Sequence, residues 1–158
     1  MNGPVMTWMA EQVQAHDIAE RSVLEVGALD VNGSVRGLFR GPYVGVDIRP
    51  GPGVDEVMDG HDLRFGDRTF DVVLSTEMLE HDSAFWLSLA EMGRVLRHGG
   101  HLFLTTRSNG FPAHDHPFDF WRFMPEAGRL LPPLAGCEWV STGRDPEAPG
   151  ILVHGRKR

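Results

Sequence analysis

The chain has 158 residues, a formal net charge of −7 and a pI near 5.5. This length supports one substantial hydrophobic core, so we interpret residues 1–158 as a single minimal domain. The acidic balance argues against a nucleic-acid partner, because phosphate recognition needs a concentrated basic face and the basic run here is confined to 156–158.

Cysteine content and hydropathy indicate the cellular compartment. Cys137 is the single cysteine, so an internal disulfide is impossible, which fits a reducing compartment. The sequence shows neither a secretion-signal pattern nor an apolar run long enough for a membrane helix. We therefore expect a soluble cytoplasmic protein, a monomer or a homodimer, without a membrane partner.

The first part of the chain predicts one helix and three strands. Apolar residues at helical spacing, with Pro4 in the first turn, predict a helix over 4–20. Short apolar runs at 22–27 and 43–48 predict buried parallel strands, and a short third strand is expected at 54–58. The prolines and glycines that follow the second strand disfavour a crossover helix there.

The middle of the chain predicts a strand followed by a helix. The segment FDVVLS at 70–75 has the composition of a buried strand, and an apolar stripe predicts a helix over 83–97. Ser83 is expected to cap the start of this helix, and Gly99 and Gly100 are expected to end it.

A loop rich in histidine and phenylalanine separates the fifth strand from a short helix. The strand is predicted at 101–106 and the loop at 107–124. The short helix is expected to begin at Pro125 and to stop before Pro132 and Pro133.

Two apolar segments at the end of the chain complete the predicted sheet. Residues 137–143 and 150–155 are separated by RDPEAP, a connection that suits an antiparallel hairpin better than a crossover. The whole order predicts a Rossmann-like, doubly wound α/β fold. Its mostly parallel, seven-stranded sheet would have helices on both faces and a C-terminal antiparallel hairpin.

In such a sheet, ligands bind outside the carboxyl ends of the strands, so the residues after each strand are the candidates for a site. After the first strand, Glu25 and Gly27 precede a turn in which Gly27 would let backbone approach a ligand closely. Amides of the same turn could hold a carboxylate or another anionic group.

Acidic residues after later strands indicate a nucleoside. Asp47 lies 20 residues beyond Gly27, the approximate spacing at which a carboxylate accepts both ribose hydroxyls. An isolated aspartate there would more often form a turn, but Glu25 and Gly27 favour the ribose interpretation. Asp59 and Asp62 could meet the amine of a base or could simply be solvated.

Four stretches resemble, in order and spacing, the successive motifs of class I S-adenosylmethionine-dependent methyltransferases of the type 11 kind. The third is the most specific, because its Phe-Asp, apolar strand and Leu-Glu-His elements are in register with the family pattern. The stretches are LEVGALDVNGSVR, YVGVDI, MDGHDLRFGDRTFDVVLSTEMLEHD and RVLRHGGHLFLTT.

The resemblance implies S-adenosylmethionine as the cofactor and assigns its candidate contacts. It places the methionine portion against the first turn, the ribose at the end of the second strand, adenine beyond it, and the methyl group after the fourth strand. The candidate cofactor residues are Glu25, Gly27, Asn32, Asp47, Ile48, Asp59, Gly60, Ser75 and Glu77. His81 occupies the histidine of the Leu-Glu-His element, as a structural or pocket residue.

The opening turn departs from the family pattern. Leu29 stands where the family has its second glycine, and Gly33 comes four residues later. Leucine does not freely adopt positive φ, so we expect another path, with the left-handed step at Asn32 and Gly33. The turn also lacks the G-x-G-x-x-G pattern that a nicotinamide-dependent oxidoreductase needs.

The loop GFPAHDHPFDFWRFM is similar to a segment of related methyltransferases that modify small molecules. His114 or His116 could deprotonate a hydroxyl acceptor, and His81 is a further catalytic candidate. The alternative is that these histidines only order the loop. His114, Asp115 and His116 could also bind a metal with a further ligand such as Asp119 or His81, but adjacent loop ligands are weak evidence and we assign no metal.

These observations predict an S-adenosylmethionine-dependent methyltransferase that acts on a small molecule, with oxygen as the expected acceptor atom. The alternative is a protein that binds S-adenosylmethionine or S-adenosylhomocysteine without catalysis. Trp121 and Arg122 could either pack the loop onto the core or contact the substrate, and packing is favoured for Trp121.

Overall fold

The computed structural model describes residues 3–114 and 117–158. Its helices are α1 (Gly3–Ala15), α2 (Phe85–Val95) and the short α3 (Leu131–Leu134), with 3₁₀ turns at Val35–Leu38, Leu79–His81 and Pro125–Arg129. Its strands are β1 (Val23–Val26), β2 (Tyr43–Asp47), β3 (Glu56–Val57), β4 (Phe70–Thr76), β5 (Leu96–Arg107), β6 (Cys137–Arg144) and β7 (Gly150–Lys157).

The strands of the described chain form a seven-stranded sheet in the order β3-β2-β1-β4-β5-β7-β6. Strands β1 to β5 pair in parallel, and β7 inserts antiparallel between β5 and β6. This confirms the predicted Rossmann-like fold and its C-terminal hairpin. The strand order reverses between β1 and β4, and a crevice at such a switch point is the usual ligand site of an open α/β sheet.

Both faces of the sheet are covered because successive strand residues point to opposite sides. On one face, α1 buries Val5, Met9 and Val13, and the last two share a hydrophobic cluster with Val72 and Leu74. On the other, the buried residues of α2 join a cluster with alternate strand positions. The predicted arrangement of helices on both faces is therefore confirmed.

Helix α2 is shorter than predicted at both ends. Ser83 does not cap it; instead the Asp82 carboxylate accepts the amide of Ala84 at 2.9 Å and the hydroxyl of Ser88 at 2.6 Å. The helix ends at Val95 rather than at the glycines, because Leu96 is fully buried and already pairs with β4. The glycines Gly99 and Gly100 lie within β5, where its pairing with β4 is irregular.

The first helix ends at Ala15, before the predicted 20. The short helix predicted to begin at Pro125 is a 3₁₀ turn, Pro125–Arg129, and it stops before Pro132 and Pro133 as expected. The two prolines then lie in the separate short helix α3. Proline is compatible with a first helical turn, since the amides there have no intrahelical acceptor. Across the described residues, no helix combines the length and the apolar character that a bilayer span needs.

Candidate active site

A cavity of about 530 Å³ opens at the carboxyl ends of β1, β2 and β4, at the switch point of the sheet. Its volume suits a cofactor-sized ligand. Most of the predicted site residues line it: Glu25, Gly27, Asn32, Asp47, Ile48, Asp59, Gly60, Glu77, His81 and His114. Ser75 does not, since it is fully buried and absent from the cavity wall. His116 lies outside the described residues.

Glu25 places a buried carboxyl group at the base of the cavity. Its Oε2 accepts the hydroxyl of Tyr43 at 2.6 Å and its Oε1 accepts the hydroxyl of Thr76 at 3.1 Å. Burial raises the pKa of the carboxyl, while the two hydrogen bonds act in the opposite direction. Glu25 is thus held rigidly by the neighbouring strands β2 and β4.

Gly27 follows β1 with φ +82°, a conformation that favours glycine. A Cβ at this position would lie 2.5 Å from Cγ of Met78, which also lines the cavity. The position therefore needs glycine both for its backbone conformation and for the space in front of it.

The altered opening turn still holds Asp47 in place. The amide of Leu29 donates to Asp47 Oδ2 at 3.2 Å, and the amide of Arg49 donates to Asp47 Oδ1 at 3.1 Å. The Leu29 side chain takes the space above Gly51, where an added Cβ would lie 2.4 Å from its Cδ1. The glycine-rich segment after β2 thus accommodates the leucine that replaces the family glycine.

The left-handed step of this turn occurs at Gly33, with φ +108°, and not at Asn32. The amide of Gly33 donates to Asp30 Oδ1 at 2.6 Å, which closes the turn locally. The prediction was therefore correct for Gly33 and wrong for the conformation of Asn32, which nevertheless lines the cavity.

The far wall of the cavity combines an apolar surface with polar groups. Ile48 is 59% exposed and lines the cavity, so it offers an apolar face to a ligand. The carboxylate of Asp59 accepts the amide of His61 at 2.9 Å, and Gly60 packs closely against Ser88. His61 is joined to Asp82 by a contact of 2.8 Å between Nε2 and Oδ1.

Glu77 follows β4 in a left-handed conformation, with φ +57°. Its carboxylate accepts the hydroxyl of Thr105 at 2.8 Å and forms an ion pair with Arg107. Its amide donates to the carbonyl of Thr105 at 2.9 Å. Contacts with β5 therefore fix Glu77 at the cavity wall despite its unusual backbone conformation.

Three side chains that we term the acceptor cluster meet beside the loop after β5: Glu80, His81 and His114. Glu80 Oε1 lies 3.8 Å from His114 Nε2 and 4.0 Å from His81 Nε2. Both imidazoles line the cavity. Sequence reasoning gave no role to Glu80, although its position beside His81 in the Leu-Glu-His element was a usable signal.

Glu80 is completely buried, and its Oε2 accepts the hydroxyl of Thr106 at 2.7 Å. Burial, followed by the nearby charge of Glu77, raises the pKa of the Glu80 carboxyl to about 7. A strongly perturbed carboxyl beside a cavity is typical of a functional site.

The loop that carries His114 is held by an internal ion pair. The guanidinium of Arg122 donates to both carboxylate oxygens of Asp119, with Nη1–Oδ1 at 2.5 Å and Nη2–Oδ2 at 2.6 Å. It also donates to the carbonyls of Phe111 and Pro112. These bonds to Arg122 hold the pKa of Asp119 well below its usual range. Of the two roles considered for Arg122, loop packing is the one that its contacts support.

Trp121 also packs the loop onto the protein. Its Nε1 donates to the carbonyl of Asp82 at 2.9 Å, and its ring contacts that of Phe85 edge-on. The favoured packing role of Trp121 thus agrees with its contacts.

A family model described as a methyltransferase domain matches residues 14–104, which is more than half of the chain. The chain belongs to this methyltransferase domain family. The family assignment confirms the resemblance noted in the sequence and, with it, S-adenosylmethionine as the predicted cofactor.

One curated relative of this methyltransferase domain is the probable phthiotriol/phenolphthiotriol dimycocerosates methyltransferase 2 of Mycobacterium ulcerans. The two are 35% identical over 100 residues, which cover 54% of this chain and 39% of the relative. The match thus spans about two fifths of the relative's length.

Solved methyltransferases share the fold across nearly the whole chain. The 1,6-didemethyltoxoflavin-N1-methyltransferase of Burkholderia thailandensis gives a TM-score of 0.77 at 21% identity and covers 96% of this chain and 77% of its own. The magnesium protoporphyrin IX methyltransferase of Synechocystis gives a TM-score of 0.70 at 12% identity. The match covers 98% of this chain and 82% of the Synechocystis chain. Both crystal structures contain S-adenosylhomocysteine, and at these identities the likeness concerns the fold alone.

Proposed function

We propose that this domain transfers the methyl group of S-adenosylmethionine to a hydroxyl oxygen of a small molecule. The observation that carries the proposal is the position of the acceptor cluster, Glu80, His81 and His114, at the cavity that also contains Glu25, Gly27 and Asp47. One cavity therefore offers both the family's cofactor residues and side chains able to accept a proton.

The residues present fit the cofactor. Gly27 presents backbone without a side chain at the cavity wall, and two backbone amides orient the Asp47 carboxylate, the group expected to accept the ribose hydroxyls. Ile48 would pack on adenine, with Asp59 and Gly60 at its edge. The bound cofactor supplies an electrophilic methyl carbon on a sulfonium, which leaves as a neutral thioether.

The protein's own contribution is to align the acceptor and to remove its proton. Alignment supplies much of the rate of an in-line displacement, and a hydroxyl acceptor additionally has to lose its proton as the new C–O bond forms. Nδ1 of His81 faces the carbonyl oxygen of Phe118 at 2.6 Å; since a carbonyl only accepts, Nδ1 bears the hydrogen and Nε2 of a neutral ring is the basic atom.

His114 is the second proton acceptor on the cavity wall. Its Nδ1 lies 3.3 Å from Asp119 Oδ2, and its Nε2 faces Glu80. The imidazole ring therefore lies between two carboxyl groups, with one ring nitrogen facing each of them. His116 is retained as a candidate base from the sequence.

Relatives support a small-molecule acceptor but differ in its chemistry. The Mycobacterium ulcerans relative is a probable phthiotriol dimycocerosates methyltransferase, whereas the Burkholderia thailandensis enzyme methylates N1 of 1,6-didemethyltoxoflavin. Oxygen as the acceptor atom is therefore proposed from the histidines at the cavity wall.

Methyl-labelled S-adenosylmethionine incubated with fractionated metabolites tests the proposal. We expect label to appear in a small molecule in which mass analysis identifies a new methyl ether or ester. Label on nitrogen or carbon would contradict oxygen transfer. Tight binding of S-adenosylhomocysteine without any transfer would favour the binding protein that lacks catalysis.

Substitution of the histidines separates catalysis from cofactor binding. We expect His114→Ala to lower kcat at least about tenfold while S-adenosylhomocysteine affinity changes less than about twofold, because general-base catalysis commonly contributes more than tenfold. The same test applies to His116→Ala. Wild-type rates in both variants would contradict a catalytic role and would indicate that the histidines only order the loop.

A further inference from the structure

We propose that Glu80, His81 and His114 bind one divalent transition-metal ion at the acceptor end of the cavity. The inference rests on the proposed function for its catalytic meaning, but the metal site itself is argued from the geometry of the three side chains. Their potential ligand atoms all lie within 4.8 Å of one another.

The spacing of the ligand atoms is close to that of an ion's coordination shell. Glu80 Oε1 is 3.8 Å from His114 Nε2 and 4.0 Å from His81 Nε2. Ligands about 2.1 Å from one tetrahedral ion are separated by roughly 3.4 Å, so the two distances from Glu80 Oε1 exceed this separation by only about half an ångström. The two histidine nitrogens lie within 4.8 Å of each other. Two imidazoles with one carboxylate are a donor set that suits zinc, iron(II) or a similar transition metal.

Two of the three ligands are oriented by a hydrogen bond at their other polar atom, and the third has a carboxylate oxygen close to its other ring nitrogen, as in established metal sites. The carbonyl of Phe118 accepts from His81 Nδ1 at 2.6 Å, and the Thr106 hydroxyl donates to Glu80 Oε2 at 2.7 Å. Asp119 Oδ2 lies 3.3 Å from His114 Nδ1. The two Nε2 nitrogens approach Glu80 Oε1, the third ligand atom of the group.

The carboxyl oxygen at that point is buried and lacks a hydrogen-bond donor. Glu80 is 0% exposed, and its Oε1 has no hydrogen-bond partner in the described structure. A buried carboxylate oxygen left without a partner is costly, and a cation between it and the two imidazoles would satisfy it.

A second histidine group in the fold is less suited to a metal. His16, His101 and His154 also approach one another, but Arg156 adds a positive charge there and His101 Nδ1 is engaged with His154 Nε2 at 3.0 Å. The acceptor cluster instead contains a carboxylate that offsets the charge of an ion. Substitutions in the acceptor cluster and in the group of His16, His101 and His154 can therefore show which of the two binds the ion.

A metal in the acceptor cluster would be accessible to substrate, because His81 and His114 line the cavity. A hydroxyl bound to such an ion loses its proton more readily, as water does on zinc. The released proton would pass to solvent while the ion is bound, whereas in the metal-free protein the imidazoles are the bases of the proposed function.

Calorimetric titration of the chelator-treated protein with Zn²⁺ tests the site. We expect one equivalent to bind, with affinity at least about tenfold lower in Glu80→Gln and His114→Ala, since loss of one ligand removes a coordinate bond. His98→Gln and His154→Gln should bind like the unaltered protein, because His98 is exposed and distant in the chain and His154 belongs to the other group.

The outcomes separate the metal site from the methyltransferase function. Absence of Zn²⁺ binding, or loss of binding only in His154→Gln, would overturn the proposal. If Glu80→Gln fails to fold, His114→Ala decides, because His114 lies on a loop. S-adenosylhomocysteine binding is measured on the same samples, so its absence beside intact Zn²⁺ binding would count against the proposed function alone.

Discussion

Gly27 is the residue at which the cofactor turn tolerates substitution least. Its φ of +82° is unfavourable for a side chain, and the space in front of it is occupied by Met78 at 2.5 Å from a Cβ position. Asp47 depends on the same turn through the amide of Leu29. We therefore expect cofactor binding to depend on backbone conformation as much as on side chains.

We expect Gly27→Ala to weaken S-adenosylhomocysteine binding by at least about tenfold, which corresponds to about 1.4 kcal/mol. The added methyl group would displace Met78 or the turn itself. Gly37→Ala is the matched control, because nothing lies within 4 Å of its Cβ position. Calorimetry that shows equal affinities for both variants would contradict a tight fit at Gly27.

Individual residues were predictable where the family pattern and local chemistry agreed. Glu25, Gly27 and Asp47 lie at the ends of strands whose apolar character is plain in the sequence, and all three line the cavity. Glu80 was missed because its burial depends on β5 and on the loop after it. Ser75 is fully buried and Thr76 beside it lines the cavity, so a role of Ser75 in cofactor binding stays a prediction.

The loop between β5 and the turn at Pro125 is the element that completes the site. Arg122 holds its two ends together through Asp119 and the carbonyls of Phe111 and Pro112. The amide of His114 donates to the same Asp119 at 2.8 Å. The position of His114 thus depends on an ion pair that is formed entirely within the loop.

We expect Arg122→Ala to lower kcat/KM at least about tenfold while changing S-adenosylhomocysteine affinity less than about twofold, because positioning of the acceptor would be lost and the cofactor residues would not. Arg129→Ala is the control, since Arg129 stacks on Trp139 away from the cavity. Equal steady-state kinetics in the two variants would mean that the ion pair does not position the site.

Element order was predictable, and element ends were not. The periodicity of the apolar residues is local information, so each strand of the sheet appeared at nearly its observed place. The end of α2 depends instead on Leu96, whose burial against β4 begins a strand before the expected glycines. Similarly, α3 tolerates Pro132 and Pro133 because they lie in its first turn.

The face of the sheet that α1 covers buries titratable groups of its own. His101 of β5 and His154 of β7 are 8% and 2% exposed, and both stack with Phe103, which packs near α1. Burial lowers the pKa of His101 to about 4 and of His154 to about 3, and the charge of Arg156 adds to the effect. Both rings are therefore neutral in the folded protein near pH 7.

These two pKa values predict a loss of stability in acid. The unfolded histidines titrate near 6.5, so the unfolded chain binds more protons than the folded chain below that pH. The stability that these two neutral histidines contribute is fully present above pH 6.5. It is lost as the pH falls toward their pKa values in the folded protein, about 4 and about 3. We expect the melting temperature of His154→Gln to decline less between pH 7 and 5 than that of the unaltered protein.

His98→Gln is the control for the melting experiment, because His98 is exposed and its removal should leave the pH dependence unchanged. Parallel declines in all three proteins would show that the buried histidines do not cause the acid sensitivity.

We expect the cavity at the switch point to bind S-adenosylmethionine through Glu25, Gly27 and Asp47. Calorimetric titration with S-adenosylhomocysteine tests it most directly, on the unaltered protein, Asp47→Ala and the exposed control Asp62→Ala. We predict saturable binding at one site, weakened at least about tenfold by Asp47→Ala and unchanged by Asp62→Ala, since Asp47 lines the cavity and Asp62 does not. No binding by the folded protein, or equal affinity in both variants, would contradict the account.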